Sequence, residues 1–255
     1  MISLNFLYEN MISEKLLFFY MNTHNNIKEI KNPNNINQLI YSIPDKPKSL
    51  FYEGNIELLK EKYLYICIVG PRKASPYGIQ VTEHIIDFLK NFKNIITISG
   101  AAYGIDGLVH TLSIKNNIPT ICIPGSGIHD DFFYPRAHID LKHEILDNNG
   151  LIVNEFPPET RSSIWTFPIR NRLMAGMSHI TIVIEAEEKS GTLITANLAI
   201  DYNREVISIP GNIFSRNSQG TNDLIDKGAK IFVNTDTLKE VINRLANNHN
   251  IDIEK

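Results

Sequence analysis

From about Tyr63 onward, the hydrophobic positions fall into short continuous runs: YLYICIVG, IITISG, TICIPG, LIVNE, ITIVIEA, EVISIPG and KIFV. Between them lie longer stretches whose apolar residues recur at helical spacing. In VTEHIIDFLKNF these are Val81, Ile85, Ile86, Phe88 and Leu89; IDGLVHTLSIKN, IDLKHEILDN and TLITANLAIDYN follow the same rule. A strand that is apolar throughout, rather than at alternate positions, is covered on both faces. Alternation with helices therefore predicts a mostly parallel sheet between two helical layers. The expected fold is a doubly wound, Rossmann-like α/β domain over about residues 63 to 245, with right-handed crossovers. No internal repeat interrupts the rhythm.

Upstream the pattern fails. MNTHNNIKEIKNPNN is polar and asparagine-rich without a clear period, which reads as loop or weak order. EKLLFFYM, which runs into it, reads as a short helix or a segment that packs elsewhere. Residues 1–38 are therefore set apart from a core domain over residues 39–255.

Composition narrows the function classes. With 255 residues, 43% of them hydrophobic, the chain can bury one large core. The net charge of −3 and an isoelectric point of about 6.2 exclude a protein that coats nucleic acid by bulk charge, so any such role needs a local patch. The two cysteines, Cys67 and Cys122, sit inside strand-like runs and read as buried free thiols; no metal-ligand spacing is present. LLFFYM is too short to span a bilayer and lacks a following small-residue cleavage site, so a cytoplasmic protein is expected.

In an open parallel sheet, ligands bind beyond the carboxyl ends of the strands, so the residues after each run carry the chemistry. The first such loop is Gly70-Pro71-Arg72-Lys73-Ala74-Ser75-Pro76-Tyr77-Gly78. Gly70 permits a tight turn, the next helix start offers N–H groups to an anion, and Arg72 and Lys73 supply cations. After the second run, SGAAYGIDGLVH places Gly100 and Gly104 where backbone can approach a ligand. Asp106 lies in a first helical turn favoured by the dipole, and His110 reads as a packed core histidine. PGSGIHDDFFYPRAH sets Phe132, Phe133 and Tyr134 before Arg136, a mixture suited to base stacking plus phosphate contact or to closing the core edge.

Farther on, Trp165 and Phe167 precede Arg170, Asn171 and Arg172; two arginines at i and i+2 cannot both face inward on a helix. Lys189, Ser190 and Gly191 enter another helix at an anion-friendly N-terminus. This is not a Walker A loop, and the first loop is not GxGxxG. No nucleophile–base–orienter set emerges, and Glu187 and Glu188 read as solvated acids. The sum is a binding site without chemistry attached, and neither a metal nor a cofactor is implied.

The ordered set IVGPRKASPYG, SGAAYGIDGLVH, FYPRAH, NEFPPET, FPIRNRLMAG, EAEEKSGTLITANLA, ISIPGNI and SQGTNDLIDKGA resembles the DNA-processing protein DprA (Smf) family, over about Tyr41 to Val233. The resemblance implies an extended Rossmann-like domain that binds single-stranded DNA and dimerises. It also implies loading of the RecA recombinase on incoming strands during natural transformation, with no chemical step. The family's basic positions match Arg72 and Arg136 and its pocket aromatic matches Phe167. Arg170, Asn171, Arg172, Ser190 and Gly191 match motif positions around that site. Asn222, Ile225 and Ile231 match dimer or RecA-contact positions.

Several departures stand out. GPR replaces the commoner GSR, and Tyr103 occupies a usually basic position. Set against the resemblance, the reading expects no C-terminal winged-helix module and an abbreviated N-terminal one. Two alternatives remain. Nucleoside-monophosphate phosphoribohydrolases carry PGGxGTxxE after the corresponding strand; here Gly191-Thr192 fit, but PGG is missing and Thr195 stands at the glutamate position. A small-nucleotide sensor on the same fold is the other.

Overall fold

The computed structural model describes residues 26–31 and 36–254; EKLLFFYM lies outside the described residues. A nine-stranded sheet runs through the molecule in the order β1-β2-β6-β5-β4-β3-β7-β8-β9. The apolar runs become β3 (Leu64–Val69), β4 (Ile95–Ser99), β5 (Thr120–Cys122), β6 (Leu151–Asn154), β7 (Ile180–Val183), β8 (Glu205–Ser208) and the short edge strand β9 (Lys230–Ile231). They are mutually parallel. The helices between them are α1 (Pro76–Leu89), α2 (Ile105–Lys115), α3 (Ile139–Asp147), α4 (Thr166–Gly176), α5 (Gly191–Asp201), α6 (Arg216–Asp226) and, after β9, α7 (Thr235–His249).

Alternation within β3 explains the layering. Leu64, Ile66 and Ile68 point to one face and pack with Ile85 and Leu89 of α1, Ile105 and Val109 of α2, and Val241 of α7. Tyr65, Cys67 and Val69 point to the other, against Leu173 and Met174 of α4, Ala196 of α5 and Leu224 of α6. Burial on both faces is what made these runs apolar throughout. Both cysteines are free and buried, and burial pushes the Cys122 thiol up to about 12. Several chain reversals between elements use asparagine in the left-handed region (Asn94, Asn117, Asn149, Asn203 and Asn250), where its short polar side chain tolerates positive φ. That explains part of the chain's asparagine content without invoking disorder.

The polar N-terminal stretch departs from expectation. Within it, β1 (Lys28–Lys31) pairs antiparallel with β2 (Ser49–Gly54), which in turn pairs antiparallel with β6. The stretch read as loop thus contributes an edge strand. Its order comes from the main-chain ladder Lys28↔Tyr52 to Lys31↔Ser49 rather than from an apolar pattern of its own. The extension is anchored by Lys142 of α3, whose buried Nζ lies 2.7 Å from Glu53 on β2 and 2.5 Å from Asp130, and donates to the Ile128 carbonyl at 2.8 Å.

The order of the strands matters most for function. The chain moves outward from β3 through β4, β5 and β6, then returns to lay β7 on the other side of β3. The carboxyl ends of β3 and β7 are therefore the point where the winding reverses, the usual position of a ligand crevice in such sheets.

Candidate functional site

A cleft of about 760 Å³ opens at that reversal. Its walls are Val69–Lys73 after β3, Ala102 and Asp106, Phe167, Arg170 and Asn171 of α4, and Glu187–Thr192 at the start of α5. A smaller depression beside it is formed by Arg72, Gly100, Ala102, Tyr103, Tyr134, Pro135 and Phe167. Together these bring Gly70, Arg72, Lys73, Gly100, Phe167, Arg170, Asn171, Lys189, Ser190 and Gly191 to one edge, with Arg136 one residue beyond the wall. A second large cleft, about 720 Å³ between α1 and α2, holds none of the predicted residues.

The loop after β3 is held by residues distant in sequence. Ser75 caps α1, accepting from the Gly78 N–H at 3.1 Å; its own N–H and hydroxyl donate to Glu185 at 3.1 and 2.5 Å. Gly78 makes room for this contact, because an added Cβ would overlap the Glu185 carboxylate and push it aside. The anion expected at this helix start is thus the chain's own Glu185, buried just past the end of β7. On the other side, Gly104 adopts φ +73° and leaves no room for a Cβ against the Pro71 and Arg72 carbonyls. The Ile105 N–H donates to Pro71 O at 3.3 Å. Clamped from both sides, the loop holds Arg72 and Lys73 exposed. The Arg72 guanidinium lies 4.9 Å from the centroid of the Phe167 ring, a cation–π contact. Tyr134 meets the same ring edge-on at 6.0 Å.

Phe167 is itself positioned by the loop after β5. Gly125 gives it space, since a Cβ there would overlap the ring, and Thr166 donates to the Gly125 carbonyl at 2.6 Å. Of the aromatics before Arg136, Phe133 closes the core, whereas Phe132 and Tyr134 are half-exposed. Arg136 is exposed and donates to the Asp130 carbonyl. Tyr103 packs edge-on against His138 at 5.1 Å.

The arginines of α4 behave differently from the first-loop arginine. Arg170 is only 4% exposed and donates to the Ile123 carbonyl at 2.9 Å. It also faces Asp106, 6% exposed, at 3.7 Å. Gly100 exists to admit it, because a Cβ would coincide with its guanidinium. Burial pushes the Asp106 carboxyl up, opposed by the Arg170 charge and by hydrogen bonds from Ala102, Ser99 and Gly100. Arg172 turns away from the cleft to pair with Glu155 and, at 3.6 Å, with Asp45. Both side chains are thus engaged with acids at different places along α4, and neither is a solvated cation. Asn171 donates to the Gly191 carbonyl at 3.3 Å, tying α4 to α5. His110 is a core residue as read: its Nδ1 lies 2.7 Å from the Thr120 hydroxyl, and burial lowers its pKa to about 3.

At α5 the helix start is open. Ser190 makes no side-chain cap and its Oγ has no hydrogen-bond partner among the described residues. Nothing lies within 4 Å of a Cβ built on Gly191, and Lys189 is exposed at φ +60°. Glu187 and Glu188 are exposed at the same rim. Glu185, the anchor of the first loop, had no signal in the sequence beyond its place after a strand. Among the described residues no group of three or more His, Cys, Asp or Glu could hold a metal, and no helix is long and apolar enough to cross a membrane.

Away from the cleft, Asn222 holds Gly211 in both directions, accepting its N–H at 3.1 Å and donating to its carbonyl at 3.0 Å. Ile225 is half-buried, and Ile231 is 40% exposed on the edge strand β9.

A crevice at the reversal point of a doubly wound sheet, with exposed cations, a ring under a guanidinium and an uncapped helix start, defines a Rossmann-like α/β protein whose sheet edge offers positive charge and ring faces together. Residues 27–243 match the model of the DNA recombination-mediator protein A family, and the chain belongs to that family. DNA processing protein DprA of Bacillus subtilis (strain 168) is 40% identical over 189 residues, 74% of this chain and 62% of the relative. The chain thus spans less than two thirds of that relative's length. The structure of DNA processing protein A from Streptococcus pneumoniae superposes with a TM-score of 0.77 at 32% identity, covering 86% of this chain and 76% of that one. DNA processing protein A from Helicobacter pylori, described for its single-stranded DNA binding mode, gives 0.75 at 27% identity, with 88% and 98% covered.

Proposed function

We propose that the cleft between the ends of β3 and β7 is a groove for single-stranded DNA, and that the protein carries such strands in recombination and hands them to RecA. The observation that supports this most directly is the exposed Arg72 guanidinium held over Phe167, beside the open start of α5. Arg72, Lys73 and Arg136 contact phosphates, the α5 N–H groups receive another, and Phe167 and Tyr134 pack on bases or sugars. Phosphates and ring faces are common to every sequence, so the groove is sequence-tolerant. The H. pylori relative binds single-stranded DNA, which supports the same ligand for this chain. Pro71 offers no N–H, so this chain has one phosphate donor fewer there, and Tyr103 offers a ring for stacking in place of a charge. Binding rather than turnover is the function proposed.

The expected dimer uses the face that carries Ile225 and Ile231. Asn222 acts there by fixing the loop at Gly211, because its amide is already engaged.

The test is a mobility shift with single-stranded and duplex oligonucleotides, with and without RecA, for wild type and an Arg72→Ala, Arg136→Ala double variant. Wild type binds single strands with a salt slope of about −0.7 per neutralised phosphate, and the double variant loses affinity together with about 1.4 of that slope. Equal binding by the double variant removes the groove assignment. Preference for a mononucleotide over an oligonucleotide favours the sensor reading instead. Sedimentation of the same wild-type sample as a monomer at working concentration removes the dimer.

A further inference from the structure

Trp165 and Ile164 are 72% and 76% exposed immediately before α4, and Phe167, the ring under Arg72, lies two residues beyond Trp165. Single exposed hydrophobics are ordinary; these two stand on the segment that positions the groove's own ring, and because side chains at i and i+2 diverge, Trp165 faces outside the cleft. The segment that carries these residues is stitched to the loop after β5. Gly127 N–H donates to the Thr160 carbonyl at 2.8 Å and His129 N–H to the Pro158 carbonyl at 3.0 Å. Gly127 has no space for a Cβ against the Pro158 carbonyl. Ser163 N–H donates to Thr166 Oγ1 at 2.9 Å, and the Trp165 N–H to Ser163 Oγ at 3.3 Å.

A second cation–π pair lies on the same two segments. The Arg161 guanidinium is 5.6 Å from the Phe132 ring, which meets His129 edge-on at 6.0 Å. Arg161 makes no ion pair among the described residues. Exposed Glu159 and Asp131 sit on the same loops, so the patch presents ring faces with little net charge.

We infer that Trp165, with the Arg161–Phe132 pair, is a second stacking platform that takes bases of the same single strand after it leaves the Arg72–Phe167 cleft. The inference rests on the proposed groove and extends it outward. Rings with little net charge suit bases rather than phosphates, and Thr166, which joins Trp165 to Phe167 and donates to the Gly125 carbonyl under the Phe167 ring, places Trp165 next along the chain to the cleft and selects the same strand as occupant. It also gives Trp165 a consequence that a merely structural residue lacks: it contributes to affinity without contributing to salt dependence.

Trp165 is the single tryptophan of the chain, so its fluorescence reports directly on this position. The experiment titrates the full chain with oligothymidine of about 4 and about 16 nucleotides, the range of site sizes of single-strand-binding OB folds. It follows tryptophan emission for wild type and anisotropy of labelled DNA for wild type, Trp165→Ala and Trp165→Phe. The long oligonucleotide is expected to quench Trp165. Trp165→Ala is expected to weaken the long complex about 10-fold, to leave the short complex and the salt slope unchanged, and to be largely rescued by Trp165→Phe. Binding of the long oligonucleotide by wild type without quenching, together with equal affinity of Trp165→Ala, overturns the platform and leaves the groove standing. Failure of wild type to bind either length overturns the groove, and the platform with it.

Discussion

Helix α4 and the loop after β3 each bring arginine to the reversal point of the sheet, and they use it in opposite ways. On α4, Arg170 is buried beneath the cleft floor, hydrogen-bonded to the Ile123 carbonyl and facing Asp106; Arg172, two residues on, pairs with Glu155 and Asp45. On the loop, Arg72 meets no carboxylate among the described residues and rests on a ring that leaves its charge facing solvent. The difference lies in the surroundings rather than in the side chain. Where a glycine such as Gly100 admits a guanidinium beneath the backbone and an acid waits there, arginine holds elements together. Where the backbone is clamped from both sides, by Glu185 and by Gly104, arginine is presented outward. Motif position alone does not separate these uses.

That contrast can be broken most forcefully at Arg170. Arg170→Met leaves Asp106 buried without its counter-charge and should cost about 3–5 kcal/mol of stability, read by denaturant unfolding. Adding Asp106→Asn should recover much of it. A loss under about 1 kcal/mol would return Arg170 to the class of available cations.

Acid should separate the buried interior from the exposed groove. His110 and His179 are both buried neutral, with burial lowering each pKa from 6.5 to about 3; His179 Nδ1 accepts from the Tyr65 N–H at 3.0 Å, which requires the neutral ring at that atom. Below pH 6.5 the unfolded chain takes up protons that the folded chain refuses, so stability falls as pH drops from about 6.5 towards about 3. About one unit below 6.5, each histidine removes about 1.4 kcal/mol. His110→Gln should shallow the slope, and urea midpoints against pH measure it. Neither histidine lines the groove, so affinity per folded molecule, read by anisotropy at the same pH values, should hold.

The smallest effect sharpens the comparison within α4. Arg172→Ala should lower stability by about 1–3 kcal/mol through the partner it leaves at Glu155, and leave oligonucleotide affinity as it was. An equal loss of affinity for Arg172→Ala and Arg72→Ala, by anisotropy, would erase the distinction.

Much of the fold was legible because its signal is local. Strands covered on both faces must be apolar throughout, so β3 to β9 announced themselves, and with them the loops that line the cleft. β1 and β2 did not. Lys28–Lys31 holds one isoleucine among charged residues, and it becomes a strand only because β2 offers it a ladder. Phe133 and Tyr134 are adjacent in sequence, yet one closes the core and the other lines the groove, a difference decided by which way the chain turns.

By itself, the sequence determined the parallel layered architecture, the edge at which the crevice opens, and the residue types gathered there, because hydrophobic period and turn chemistry are properties of neighbours along the chain. Only the tertiary structure decided which cations remain free. Ser75 meets Glu185 across 110 positions, and Arg170 finds Asp106 on another helix. Whether a charge is engaged or available depends on desolvation and on partners that folding alone brings within a few ångströms.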